Sequence, residues 1–291
     1  MRVLLTGAGG QLGSDLHRAL AEAGDEVTAA GRDRLDVTRR DLVLGALLEL
    51  RPDVVFHCAA WTDVDGCEGE PARAQRVNAL ASRHVAEACR LAGSHLVAVS
   101  TDYVFSGEGF PGDANRPYHE WDETGPRSVY GRSKLAGERE VLMGCPGAAI
   151  VRTSWLCGAA GPNVVKTALR LAAEPGRDLA FVDDQVGKPT FTSDLAPLLR
   201  RLGVARLPGT FHATNDGPTS WYGFVREVLA AAGHDPERVR PIATSDLVPA
   251  RPAPRPAYSV LDCAALRGIG MDPLPDFRDP LTRLVKELTH G

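Results

Sequence analysis

Arg2-Val3-Leu4-Leu5-Thr6-Gly7-Ala8-Gly9-Gly10-Gln11-Leu12-Gly13 decides the fold. Arg2 to Thr6 reads as a buried strand, and the residues after the glycines read as a helix running to about Ala23. Strand, glycine-rich turn and helix in that order open a dinucleotide-binding β-α unit. Only glycine lets backbone amides approach a pyrophosphate so closely, and the helix N-terminus then directs positive charge at it. Gly7, Gly10, Gln11 and Leu12 are the first cofactor-binding candidates. A tight turn without a ligand is the plainer account of the glycines; the strand before and the helix after weigh against it.

The alternation continues outward. Glu26 to Ala30 is predicted as a strand, Asp41 to Leu50 as a helix, Asp53 to Cys58 as a strand and Pro71 to about Leu91 as a long helix. His95 to Val99 is the next strand, Val129 to Met143 a helix entered after Pro126, and Ala148 to Thr153 another strand. Such alternation implies an α/β fold, a doubly wound parallel Rossmann sheet with helices on both faces. From Leu156 onward the pattern is less regular. Asn163 to Ala173, Thr192 to Leu202 and Ser220 to Ala232 read as helices, Leu179 to Val182 and Thr210 to Ala213 as strands. Pro249 to Pro256, with four prolines and two arginines, reads as an extended loop. The expected division is 1–155 with 191–219 as the nucleotide-binding domain, and 156–190 with 220–291 as a smaller, discontinuous substrate domain.

Ser100-Thr101-Asp102-Tyr103-Val104-Phe105 ends a strand, and Tyr130-Gly131-Arg132-Ser133-Lys134 opens a helix. Tyr130 and Lys134 are four residues apart and share a helix face. A cation beside a phenol favours phenolate and draws the tyrosine pKa down from ~10, which makes a usable acid. Thr101 adds a hydroxyl at the carboxyl end of a strand, where open α/β sheets bind ligands. Taken singly these are a solvated helix pair and a strand cap. Behind a glycine-rich first turn, Thr101, Tyr130 and Lys134 read as catalytic. Nicotinamide sites that prefer NAD end the second strand in an acidic residue. Gly31-Arg32 stands here instead, and a guanidinium pairs with a 2′-phosphate, so NADPH is expected, with NADH the alternative. His57, inside a strand, reads as a core histidine.

The 291 residues suffice for one large or two interlocked domains. A net charge of -4 makes no electrostatic case for nucleic acid or an anionic membrane. No stretch reaches membrane-spanning length, and the strand at the N-terminus leaves no signal h-region. The six cysteines contain no C-x-x-C pair, so free thiols in a reducing cytoplasm are expected and no metal site is predicted.

These motifs carry a family resemblance. The chain resembles the extended short-chain dehydrogenase/reductases, and within them the dTDP-4-dehydrorhamnose reductase group, 4-ketoreductases of dTDP-deoxysugars. The matching stretches are Leu5 to Gly13, Ser100 to Gly107, Tyr130 to Glu138, Arg152 to Trp155, Asp184 to Thr190 and Arg255-Pro256. The resemblance implies NADPH-dependent reduction of the C4 keto group of a dTDP-4-keto-6-deoxysugar, with dTDP-4-dehydrorhamnose the first choice. Another dTDP-deoxysugar of natural-product biosynthesis, or a non-catalytic NADP-binding regulatory subunit, are its alternatives. It implies Asp36 and Val37 by the adenine, Ala59 and Ala60 beside the cofactor, and Asn78 in support of the active site. For the sugar nucleotide it implies Thr101, Asp102, Tyr130, Trp155, Asn163, Lys188 and Arg255, the last facing the pyrophosphate. Some relatives dimerise, so a homodimer is allowed. Related 4,6-dehydratases follow their strand-end threonine with an Asp-Glu pair; Asp102-Tyr103 here argues for reduction.

Overall fold

In a computed structural model of the chain, which describes residues 1–110, 112–174 and 176–290, the elements follow the expected alternation. The chain opens with β1 (Arg2–Thr6), α1 (Gln11–Glu22), β2 (Glu26–Ala30), α2 (Arg40–Leu50) and β3 (Val54–His57). A short α3 (Val64–Gly69) precedes α4 (Pro71–Ala74), a π-helical stretch (Gln75–Leu80) and α5 (Ala81–Ala92). β4 (His95–Thr101), α6 (Val129–Gly144) and β5 (Ala149–Thr153) follow. The second half holds β6 (Leu156–Cys157), α7 (Val164–Ala172), β7 (Leu179–Val182), β8 (Val186–Gly187), β9 (Thr190–Phe191) and α8 (Thr192–Ala205). β10 (Gly209–His212), β11 (Thr219–Ser220), α9 (Trp221–Ala231), β12 (Val239–Ile242), α10 (Ala264–Gly268) and α11 (Arg278–His290) complete it.

Six strands form one parallel sheet in the order β2-β1-β3-β4-β5-β10. The chain leaves β1 toward β2 and returns to β3 on its other side. The carboxyl ends of β1 and β3 therefore flank the crevice where such sheets take their ligands. Successive strand residues point to opposite faces, and both faces are apolar. Leu5, Phe56 and Val97 pack with Leu16 of α1 and Leu199 of α8. Leu4, Val55 and Leu96 pack with Val43, Val85 and Val141 of the helices on the other face. A third core of Phe191, Phe224, Val228, Phe277 and Leu281 joins α9 and α11 away from the sheet. Cys263 and Leu266 of α10 return to the cluster under the sheet.

Three local features differ from the expectation. The helix from Pro71 carries a π-helical stretch over Gln75–Leu80, which contains Asn78; π segments of this kind mark functional sites. β4 runs on to Thr101, which pairs with Thr153 and so stays at the sheet's ligand end. Val64–Gly69 is helical because the Asp63 carboxylate accepts the Gly66 N–H at 2.9 Å as an N-cap. Among the described residues no helix is long and apolar enough to cross a membrane, and the six cysteines are free.

Candidate active site

A cavity of about 620 Å³ lies over the crevice between β1 and β3. Of the cofactor-binding candidates, Gly7, Gly10, Arg32, Asp36, Val37, Ala59 and Ala60 line it, together with Trp61, Arg39, Arg73 and Arg76. The cradle depends on glycine. Gly7 has φ +71°, and a Cβ there would lie 2.6 Å from the Ala59 nitrogen. A Cβ on Gly13 would lie 2.2 Å from the Gly7 carbonyl oxygen, so the first turn closes directly onto α1. Gln11 and Leu12 do not line the cavity. The Leu12 side chain is buried in the core, and Gln11 Oε1 accepts the Gly158 N–H at 3.1 Å and Asn163 Nδ2 at 2.9 Å.

Two of the four arginines are committed. Arg39 pairs with Asp41 at 3.0 Å; Arg73 pairs with Glu70 at 3.0 Å and lies 4.2 Å over the Trp61 ring. The side chains of Arg32 and Arg76 make no hydrogen bond or ion pair among the described residues, and the Arg32 charge lies near enough to Asp36 to help lower its pKa. Asp36 spends its carboxylate on Thr38, accepting the N–H at 3.0 Å and the hydroxyl at 2.7 Å; these bonds hold its pKa below the usual range. Sequence reading singled out Arg32 alone. Arg73 and Arg76 carried a weak signal, three apart in the first turns after Pro71 and hence on one helix face.

Tyr130 sits in the first turn of α6, which Ser128 caps by accepting the Gly131 N–H at 3.0 Å. It is buried, and its ring meets Tyr103 edge-on at 5.5 Å. Thr101 donates to Asp102 Oδ1 at 3.1 Å, and Ser259 donates to Asp102 Oδ2 at 2.6 Å. Burial pushes the Asp102 carboxyl up to about 6 against the pull of those two bonds. Lys134 Nζ donates to the Val99 carbonyl at 2.8 Å. Burial lowers Lys134 to about 8, while the nearby Glu138 charge pulls it back up. Glu138 is itself held by Arg152 through two bonds of 2.9 and 2.8 Å. Asn78 ties these parts together. Its Oδ1 accepts the Trp61 N–H at 2.8 Å, and its Nδ2 donates to Ser133 Oγ at 2.9 Å, between Tyr130 and Lys134.

One expectation is corrected. The Tyr130 phenol is shifted up, not down. Burial raises its pKa, the neighbouring Thr101 hydroxyl lowers it, and the Asp102 charge raises it again. The physical reason is that desolvation of the phenolate outweighs the Thr101 hydrogen bond, while the Lys134 ammonium is spent on Val99.

A second cavity of about 370 Å³ is lined by Tyr103, Gln185, Trp221, Arg251 and Arg255, among others. Of the sugar-nucleotide candidates only Arg255 borders it; its guanidinium is paired with Asp65 at 2.8 Å. Trp155, with φ +46°, stacks on Trp221 at 3.6 Å and 7° and presses on Gly187. One face of its ring is thus occupied by protein. Lys188 pairs with Asp216 at 2.8 Å. Asn163 caps α7 through the Lys166 N–H at 3.1 Å and donates to Gln11. It joins the first turn to the second half of the chain rather than lining the cavity.

Comparison with known proteins agrees in sequence and shape. The RmlD substrate binding domain family profile matches residues 1–290. A dTDP-4-dehydrorhamnose reductase of Streptomyces griseus is 50% identical over 97% of this chain and 92% of its own length. A probable dTDP-4,6-dihydroxy-2-methyloxan-3-one 4-ketoreductase of Streptomyces antibioticus is 48% identical over 97% and 93%. The crystal structure of a dTDP-4-dehydrorhamnose reductase from Bacillus anthracis, in complex with NADP, superposes with a TM-score of 0.91 at 38% identity, covering 98% of this chain and 99% of that one.

Proposed function

The chain belongs to the RmlD substrate binding domain family, and on that premise we propose that it reduces the C4 keto group of a dTDP-4-keto-6-deoxysugar with NADPH, dTDP-4-dehydrorhamnose to dTDP-rhamnose first among them. The observation that carries the reading is a buried Tyr130, one turn from a buried Lys134, in one apolar cluster with Trp61 of the first cavity and Tyr103 of the second.

The first cavity fits a phosphorylated dinucleotide. Gly7 and Gly13 leave the backbone room that a Cβ would fill, and the N-terminus of α1 faces it. Arg32 and Arg76 line it with side chains that make no hydrogen bond or ion pair among the described residues, and they would hold the 2′-phosphate. Bound NADPH supplies the hydride. The chain supplies the proton and the positioning. Tyr130 donates its phenolic proton to the C4 oxygen as negative charge develops there. Its raised pKa keeps it protonated at neutral pH, so the proton is present when needed. Lys134, held by Val99, is the cation that stabilises the phenolate left behind. Thr101 is the hydroxyl that orients the sugar oxygen. Asp102, braced by Thr101 and Ser259, fixes that hydroxyl. Arg255, Lys188, Trp155 and Asn163 belong to the sugar-nucleotide side of this reading. Arg255, on the cavity wall, takes the diphosphate; Asn163 contributes by joining the two halves.

A different dTDP-deoxysugar is the second reading, favoured by the near-equal identity to the ketoreductase of S. antibioticus. A panel of dTDP-4-keto-6-deoxysugars with NADPH, product stereochemistry read by NMR, tests both. NADPH bound but consumed with none of them would overturn the enzyme reading in favour of a binding subunit. A cytoplasmic homodimer and the division 1–155 with 191–219 against 156–190 with 220–291 belong to the same proposal. Light scattering tests the dimer, and limited proteolysis tests the division.

A further inference from the structure

Asp65 lies in α3, four residues beyond Trp61 of the cofactor cavity, yet its carboxylate is held entirely by the proline-rich loop of the second half. It accepts Arg255 Nη1 at 2.9 Å and Nη2 at 2.8 Å, the Ala253 N–H at 3.1 Å and Arg251 Nη1 at 3.4 Å. Arg251 and Arg255 both line the second cavity. Burial raises the Asp65 pKa, but the Arg255 and Ala253 hydrogen bonds and the two guanidinium charges outweigh it and leave the carboxyl below its usual range.

The bonding pattern on Arg255 is informative. A guanidinium has five N–H donors. Nη1 spends both of its own, on Asp65 and on the Ala253 carbonyl at 3.0 Å. Nη2 spends one on Asp65. The Nε–H and the second Nη2–H have no partner among the described residues, and they lie side by side on one edge of the plane. That edge is the fork that grips two oxygens of one phosphate. A carboxylate placed on the adjoining Nη1/Nη2 edge fixes the fork without filling it.

We propose that Asp65 is a positioning residue for the sugar nucleotide. It holds Arg255 by its Nη1/Nη2 edge so that the Nε/Nη2 edge is presented to the diphosphate, and it ties that arginine to the segment running from Ala59 through Trp61 along the cofactor cavity. This deepens the proposed function and rests on it. Asp65 does not compete with substrate, because the two free N–H groups let phosphate bind without displacing it. The role is distinct from that of Asp63, whose carboxylate only caps α3.

The test is steady-state kinetics on Asp65→Asn, Asp65→Glu, Arg255→Ala and the double variant Asp65→Asn/Arg255→Ala, with saturating NADPH and a dTDP-4-keto-6-deoxysugar. Asp65→Asn should raise KM for the sugar nucleotide about tenfold, as expected for loss of a charge-assisted bidentate pair, and keep kcat within about twofold. Asp65→Glu should recover part of that loss. The double variant should be no worse than Arg255→Ala, because Asp65 acts only through the arginine. Asp65→Asn with wild-type KM, beside an Arg255→Ala whose KM has risen, overturns the positioning role and leaves the reductase standing. A fall in kcat and thermal midpoint with no change in KM overturns it too, as the mark of a purely structural contact. Wild-type protein that turns over no such sugar overturns the reductase reading beneath it.

Discussion

Tyr130 and Lys134 stand one turn apart on α6, but the Lys134 ammonium is bonded to the Val99 carbonyl, 2.8 Å away on β4. The strand therefore fixes the lysine by its ammonium. The phenol stays in its acid form because burial raises its pKa. Tyr130→Phe removes the phenolic hydroxyl, the proposed proton donor, and keeps the ring against Tyr103 and Cys67. Turnover should fall ~100 to 10,000-fold, the usual worth of general acid catalysis, with the thermal midpoint and NADPH affinity little changed. Single-turnover hydride transfer followed at 340 nm checks it, and a near wild-type rate would remove Tyr130 from the chemistry.

Lys134 gives a prediction with a sign. Its pKa is 10.5 in the open chain and about 8 in the fold, lowered by burial. Between those values the unfolded chain holds the proton more tightly, so stability rises as pH climbs from about 8 to 10.5. The burial cost is complete below that window and absent above it. Lys134→Met has no such group. The stability of the wild type relative to Lys134→Met should therefore improve as pH rises through the window, and urea midpoints of both proteins measure it. Turnover of the variant should be lost at every pH. Parallel midpoint curves would mean that Lys134 is not buried as a titrating amine.

The cofactor preference is a question of cations. Among the described residues the Arg32 and Arg76 side chains line the first cavity with no hydrogen bond or ion pair, while Arg39 and Arg73 are paired with Asp41 and Glu70. Arg32→Ala should weaken NADPH by roughly tenfold and NADH little, because a charge-assisted phosphate contact is lost that NADH never makes. Arg76→Ala should act in the same direction. Equal kcat/KM for both cofactors in the wild type would contradict both expectations.

Much of this was legible in the sequence because it rests on local rules. The Leu4/Leu5 and Val54/Val55 alternation into two faces follows from strand periodicity, and Gly7 and Gly13 follow from the close approach of backbone segments. What escaped depends on contacts between distant segments. Asp65 and Arg255 are separated by 190 positions, and no local pattern pairs them. The Trp155–Trp221 stack joins a strand end to a helix start in the same way. The direction of the Tyr130 shift was misjudged for a related reason. Spacing of four places a cation nearby, but only packing tells how dry the phenol is and where the ammonium bond is spent.

Asp102 separates reduction from elimination. A 4,6-dehydratase needs an acid and a base beside its threonine, and this chain offers one carboxyl, already bonded by Thr101 and Ser259. Wild-type protein should yield no 4-keto-6-deoxy product from dTDP-glucose. The same carboxyl has a pKa of 3.8 in the open chain and about 6 in the fold, where burial favours the neutral form. Here the folded state holds the proton more tightly, so the stabilising contribution is complete below pH 3.8 and is lost as pH rises through about 6. Asp102→Asn cannot ionise, and relative to it the wild type should lose stability across that interval. Urea midpoints of both proteins from pH 3.5 to 7 measure it, and parallel curves would mean that Asp102 does not titrate as a buried carboxyl.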